Sequence, residues 1–213
     1  MPKIEPFEKH SKEYDEWFIR NHDIYQAELE AIKSFIPENK KGVEIGVGSG
    51  RFATPFGIKI GVDPSRKIAD IARNRGIEVY EAVAEELPFD DKTFEFVLMV
   101  TTICFVDNLL KSFQEAYRIL KNNGFIIIGF IDKNSDLGEK YQSKRTYNKF
   151  YSYATFYSTG EIIDFLKKAN FCDFSIKQTV FSGKTHRLNN LENGYGKGSF
   201  VVIKAVKSKN HKG

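Results

Sequence analysis

Between residues 41 and 131 one alternation recurs: a short apolar run, a break at glycine, proline or polar residues, then a stretch whose apolar positions repeat at helical spacing. The apolar runs predict strands at 41–45, 58–62, 78–82, 94–100 and 124–131, with helices at about 65–74 and 108–120. Strands and crossover helices in this order specify a mostly parallel sheet with right-handed connections. Asn122-Asn123-Gly124 supplies the turn into the fifth strand, because Asn and Gly adopt left-handed conformations cheaply.

The flanks follow other patterns. Residues 7–35 predict a helical, aromatic-rich arm that ends before Pro37. A late helix is expected at 161–169, with Ser158 or Thr159 as its N-cap and Glu161 supporting its first turn. The alternating runs 174–181 and 199–206 suit an antiparallel hairpin at one sheet edge, which brings the expected number of strands to seven. The division this implies is a helical arm or lid at 1–36 and a main domain at 37–213 carrying an insertion at 132–160.

Composition narrows the function class. The 213 residues can bury a substantial core in one domain, and no segment approaches the roughly 20 apolar residues that span a bilayer. The first residues are charged and carry no apolar leader segment, so a cytoplasmic protein without a membrane partner is expected. Cys104 and Cys172 are too few for a disulfide framework and lack metal-ligand spacing, so both are expected to be buried thiols, and no metal is expected. A net charge of +4 is too small for a dedicated nucleic-acid binder, and the lysines between 204 and 212 read as a solvated tail.

The candidate chemistry begins at Val43-Glu44-Ile45-Gly46-Val47-Gly48-Ser49-Gly50, followed by Asp63 at the end of the second apolar run. Glycines in such a turn let bare backbone approach a ligand, and an acid ending the next strand can reach a ribose. A nicotinamide or flavin fingerprint would space its glycines G-x-G-x-x-G, whereas Arg51 follows Gly46, Gly48 and Gly50 here. Glu44 would also repel a pyrophosphate and favour a ligand carrying an ammonium and a sulfonium. Taken singly, a glycine turn can be only a turn, and Asp63 ahead of Pro64 can be only a helix cap.

Through these residues, from about 41 to 131, the chain resembles the class I S-adenosylmethionine-dependent methyltransferases, in particular the small-molecule group near the ubiquinone-biosynthesis enzymes. The resemblance implies a Rossmann-like seven-stranded methyltransferase fold, α/β, with helices on both faces of the sheet. It implies S-adenosylmethionine as cofactor and S-adenosylhomocysteine as product. Glu44, Gly46, Gly48 and Gly50 match the family loop that binds the methionine part, Asp63 the acid that holds the ribose hydroxyls, and Ile68, just beyond Pro64, an apolar position against the adenine. Ala82-Val83-Ala84-Glu85-Glu86-Leu87-Pro88-Phe89 resembles the family's adenine-side loop, with Val83 where an aspartate is frequent. Adenine contacts then fall to the amide of Ala84, the carboxylate of Glu85 or a water. Thr101, Thr102 and Phe105 match the stretch lining the transferred methyl group, where Cys104-Phe105 replaces a common histidine.

Tyr14-Asp15-Glu16-Trp17-Phe18 is similar to the Tyr-Asp-x-Trp-Phe start that folds as a lid in many such enzymes, although the spacing of Tyr14, Trp17, Phe18 and Tyr25 equally fits a docked amphipathic face. The insertion carries Tyr141, Arg145, Tyr147, Phe150, Tyr151, Tyr153, Phe156 and Tyr157, aromatic walls suited to a planar or cationic small molecule. Tyr14, Trp17, Phe18, Tyr153 and Tyr157 are the substrate-side candidates, and His10, Tyr14 and Tyr157 the candidates for a base, which methyl transfer does not always need. For His10 an exposed helix position is an equal reading. Methyl transfer to a small molecule is the leading expectation. A non-catalytic adenosyl-cofactor module or methyltransferase-like partner subunit is the alternative, and an RNA methyltransferase ranks lower because no RNA module accompanies the aromatic insertion.

Overall fold

The computed structural model describes residues 3–144, 148–181 and 190–208. Arg145, Tyr147 and the lysines of the terminal run beyond 208 lie outside the described residues. The sheet order is β3-β2-β1-β4-β5-β8-β6-β7, from β1 (Gly42–Ile45), β2 (Ile60–Val62), β3 (Glu78–Tyr80), β4 (Phe94–Val100), β5 (Leu120–Ile131), β6 (Phe171–Phe181), β7 (Glu192–Asn193) and β8 (Gly198–Lys207). The first five strands run parallel, and β8 is antiparallel to both β5 and β6.

The expected α/β class, the mostly parallel sheet and its antiparallel end are present; the number of strands is eight rather than seven. The extra element is β7, two residues paired with Lys177 and Gln178 of β6, too short to leave a periodic signal. The predicted antiparallel pair is present at that end of the sheet, with β8 inserted between β5 and β6.

Both faces of the central strands are covered. Along β4, Val97 and Met99 face one core layer, whereas Phe96, Leu98 and Val100 face the other; β5 divides Ile126 and Ile128 from Phe125 and Ile127 in the same way. The first layer is completed by α5 (Leu109–Ile119) and α7 (Thr159–Lys168), through Phe113, Ile119, Ile162 and Leu166. The second is closed by the arm, which is three helices and not one: α1 (Glu5–Lys9), α2 (Ser11–Arg20) and α3 (His22–Lys33), with Phe18, Ala31 and Ile32 buried against the sheet. The breaks fall at His10 and Asn21, whose backbones leave the helical region. Two further helices are α4 (Arg66–Asn74) and, inside the insertion, α6 (Asp136–Ser143).

Local chemistry explains the helix starts. Ser158 accepts from the amide of Glu161 while Glu161 accepts from the amide of Ser158, a reciprocal capping box that settles the choice between Ser158 and Thr159. Asn108 caps α5 by accepting from Lys111. Asn123 holds φ +62° before Gly124, the left-handed turn expected there. Neither cysteine is fully buried, contrary to expectation: both residues are partly exposed, although the Cys104 thiol is itself sequestered beneath the Thr101 carbonyl, to which it donates. Among the described residues no helix is long and apolar enough to cross a membrane, and no cluster of ligating side chains could hold a metal.

Candidate functional site

The chain passes from β1 outward through β2 and β3, then returns to place β4 on the other side of β1. Crevices form where strand order reverses in this way, at the carboxyl ends of the strands. Gly46 follows β1, Asp63 follows β2 and Thr101 follows β4, so three loops meet at one end of the sheet.

A cavity of about 690 Å³ opens there. It brings together Gly46, Gly48, Asp63, Pro64 and Ile68 from the first half of the sheet. Ala84, Glu85, Thr101, Thr102 and Phe105 line its other side, and Tyr14 of α2 covers it. Lys3, Ile4 and Phe7, at the start of the arm, also border it, which the sequence reading missed for want of any motif there.

Asp63 is only 8% exposed and shapes the loops around it. Its Oδ2 accepts from the amide of Gly48 at 2.8 Å and its Oδ1 from that of Ser65 at 2.9 Å, so it spans the glycine turn and the start of α4. Burial raises its pKa to about 6 despite those two amides.

Gly48 and Gly50 do different work. Gly48 has φ +52°, and a Cβ there would come no nearer than 3.8 Å to Ile68 and Tyr14, so its open side faces the cavity. Gly50 has φ +80°, and a Cβ would meet Ile77 at 2.6 Å and Ala72 at 3.2 Å. Gly50 is absent from the cavity wall: its missing side chain lets the loop pack on α4, which corrects the expectation that it faces a ligand.

Glu44 lies behind the turn, 1% exposed, bordering a separate pocket of about 220 Å³ with Tyr14, Gly46, Gly48 and Arg51. Its Oε2 has no hydrogen-bond partner among the described residues, and burial pushes its pKa well above the usual carboxylate range. Glu85, although it lines the cavity, commits Oε1 to the amides of Asp107 and Asn108 at 2.7 and 2.9 Å. That engagement ties the adenine-side loop to the start of α5, a structural task the sequence did not reveal.

A second chamber of about 840 Å³ adjoins the first and shares Tyr14, Thr101 and Phe105 with it. Trp17 and Phe18 of α2, Phe150 and Tyr151 of the insertion, and Tyr141 of α6 form its walls. Tyr141 and Tyr151 stack with centroids 4.6 Å apart, and Phe7, Tyr14 and Phe150 meet at 5.3 to 5.9 Å. Tyr14 is sequestered in the same wall as Thr101, and burial drives its pKa far up. Thr101 itself holds φ +51°, a strained conformation for a β-branched residue and one seen at functional sites.

Three candidates fall elsewhere. His10 borders neither chamber and pairs with Glu13 at 3.1 Å. Tyr153 is 48% exposed on a short 3₁₀ turn that points it away. Tyr157 lines a smaller pocket of about 330 Å³ behind Thr101 and Tyr151, where its ring packs on Phe165. Two residues that sequence reading passed over matter more. Asp15 receives both guanidinium groups of Arg51 and Arg75, each through two contacts of 2.8 Å, and so clamps α2 to the glycine loop and the end of α4. Glu28 of α3 faces the aromatic chamber. Its signal was legible as an acid set among Tyr25, Leu29 and Ile32 on the apolar stripe of its helix.

A doubly wound sheet with a glycine turn after its first strand, a buried acid after its second and a cavity at their carboxyl ends has the architecture of a class I methyltransferase. Comparison with known proteins agrees. Residues 43–128 match the family model described as a methyltransferase domain. An uncharacterised protein of Methanocaldococcus jannaschii is 47% identical over 94% of this chain and 98% of its own. A crystal structure from Thermotoga maritima, described as an S-adenosylmethionine-dependent methyltransferase and possible histamine N-methyltransferase, superposes with a TM-score of 0.93 at 46% identity, covering 96% of this chain and all of that one. A ubiquinone/menaquinone C-methyltransferase of Rickettsia akari is 32% identical over 49% of this chain and 40% of its own. The chain belongs to the class I S-adenosylmethionine-dependent methyltransferases. The residues fit that cofactor: an unpartnered buried carboxylate oxygen stands behind the turn for an ammonium, and the open face of Gly48 leaves room for a ligand against the backbone.

Proposed function

We propose that the protein methylates a small molecule that enters the aromatic chamber. The carrying observation is the junction of the two chambers at Tyr14, Thr101 and Phe105, which would set donor and acceptor end to end. S-adenosylmethionine supplies an electrophilic methyl group on a sulfonium. In this reading Glu44 holds its ammonium, Asp63 its ribose hydroxyls, and Ile68 and Ala84 flank its adenine beside Pro64. Tyr14 and Phe105 close the junction against water.

In-line transfer needs alignment more than acid–base help, and alignment alone can supply ~7–11 kcal/mol of the barrier. Tyr14 is unsuited to act as a base at neutral pH, because burial keeps its phenol protonated. Its part is to seal and orient.

Calorimetric titration with S-adenosylhomocysteine, S-adenosylmethionine and NAD tests the cofactor reading. Micromolar binding of the two adenosyl compounds with NAD silent is expected, and labelled donor then reports transfer to a panel of small acceptors. Binding of NAD alone would sink the reading; adenosyl binding with no transfer to any acceptor would favour a non-catalytic module.

A further inference from the structure

One group in the aromatic chamber has no structural task. Glu28, 4% exposed, sits on the buried face of α3 and lines the chamber between α2 and the insertion. Among the described residues no hydrogen-bond or ion-pair partner meets its carboxyl; burial alone acts on it, pushing its pKa up to about 8. The titratable groups that face it are phenols: Tyr14 of α2, Tyr25 of α3, Tyr141 of α6 and Tyr151 of the insertion, each itself raised by burial and uncharged at neutral pH. No cation of the described residues enters this wall. A lone buried carboxyl destabilises a fold unless something pairs with it.

The wall around Glu28 has the composition that holds organic cations. Trp17, Tyr141, Phe150 and Tyr151 line the same space, and aromatic rings attract ammonium groups most strongly where water is excluded. An anionic acceptor would find no counter-charge there and would hold Glu28 protonated, a neutral one would leave it unpaired, and an ammonium would draw it into its charged form.

We propose that the chamber is a binding site for a small organic amine, whose ammonium group pairs with Glu28 inside the aromatic wall. This rests on the cofactor and acceptor reading given above and names the substrate class of that same site. Glu28 is a binding residue at the far side of the acceptor; the methylated atom lies toward Tyr14, Thr101 and Phe105, where the two chambers join.

The test uses the full chain saturated with S-adenosylhomocysteine and titrated with 2-phenylethylamine, histamine and 2-phenylethanol, the first and last sharing a ring and differing in charge. Both amines are expected to bind, with 2-phenylethanol at least about 10-fold weaker than 2-phenylethylamine. In Glu28→Gln the amines should weaken by on the order of 100-fold, the loss typical of removing one partner of a desolvated charge pair, while S-adenosylhomocysteine affinity is unchanged and reports an intact fold. Glu28→Asp, which keeps the charge, should recover part of the loss. Equal binding of alcohol and amine, amine affinity indifferent to Glu28→Gln, or no amine binding to the loaded protein would each overturn the proposal and leave the cofactor reading standing. Failure to bind S-adenosylhomocysteine at all would instead remove the reading on which it rests. If Glu28→Gln does not fold, the comparison of amine with alcohol in the unaltered protein still decides.

Discussion

Glu44 occupies a position where an apolar side chain would serve the fold better: it is buried, and one of its oxygens meets no donor. Such a group costs about 1–3 kcal/mol. Glu44→Gln is therefore expected to leave the melting temperature unchanged or raise it while weakening S-adenosylhomocysteine at least about 10-fold; a lower melting temperature with unchanged affinity would make Glu44 a structural residue. Asp63 gives a pH signature. Its pKa is raised from 3.8 to about 6, so the folded, ligand-free protein binds more protons than the unfolded chain in that window, and its contribution to stability falls as pH rises through it. Hydroxyl donors prefer the charged carboxylate, so affinity should climb as pH rises through about 6 and then level. Titration across that range with Asp63→Asn should give a flat, weaker profile, and an unaltered slope would remove Asp63 from the ribose role. The glycine pair separates packing from binding. Gly50→Ala should destabilise by about 1–3 kcal/mol through its clash with Ile77 and Ala72. Gly48→Ala, whose Cβ would meet Ile68 and Tyr14 only at ordinary contact distance, carries about 1 kcal/mol for its positive φ and should lose more in affinity than in stability, as denaturant unfolding and calorimetry of the two variants would show.

Among elements, the arm is the one whose role turns on a few contacts. Asp15 binds Arg51 and Arg75 at once, and the two guanidinium groups hold its carboxyl well below the usual range. Its folded pKa is depressed, so this clamp contributes fully above the unfolded pKa and is lost only in strong acid. Asp15→Asn is expected to cost about 1–3 kcal/mol by leaving two partly buried guanidinium groups short of a charge, and to make the fluorescence of Trp17, in the next half-turn of α2, respond more strongly to S-adenosylhomocysteine. No change in either readout would mean that the arm is held by its aromatic packing alone. These contacts also mark where sequence legibility ended. Strand-terminal residues such as Gly46, Asp63 and Thr101 were legible because their place follows from where an apolar run stops. The cap of α7 was legible to within Ser158 or Thr159 because capping is local chemistry. His10 and Tyr153 border neither chamber, because the break between α1 and α2 and the 3₁₀ turn at Tyr151–Tyr153 set their directions in ways that residue type and spacing do not encode. The Asp15 clamp joins residues 36 and 60 positions apart, and no local pattern encodes such a pairing.

At the scale of the molecule, the first cavity sits where the sheet loops meet the arm and the second where the sheet, the arm and the insertion converge, while most of the apolar core lies in two layers away from them. The core carries stability, and the convergence point holds the groups that oppose it: Glu28 and Glu44 buried without sufficient partners, and Thr101 at positive φ. A ligand that pairs those groups binds the folded chain and not the unfolded one, so it must raise stability by mass action. At a concentration 100 times its dissociation constant the gain is about 2.7 kcal/mol, which for a chain of this length corresponds to an upward shift of roughly 5–11 °C. Thermal unfolding with S-adenosylhomocysteine should show that shift in one cooperative step, because the arm and the sheet loops border the cofactor cavity and Tyr14, Thr101 and Phe105 join it to the chamber walled by the insertion. A transition that splits, with Trp17 reporting an earlier loss than the far-ultraviolet signal of the sheet, would mean that the arm opens independently. In that case ligand would stabilise only the later step if the sheet loops alone bind it, and both steps if Tyr14 closes over it.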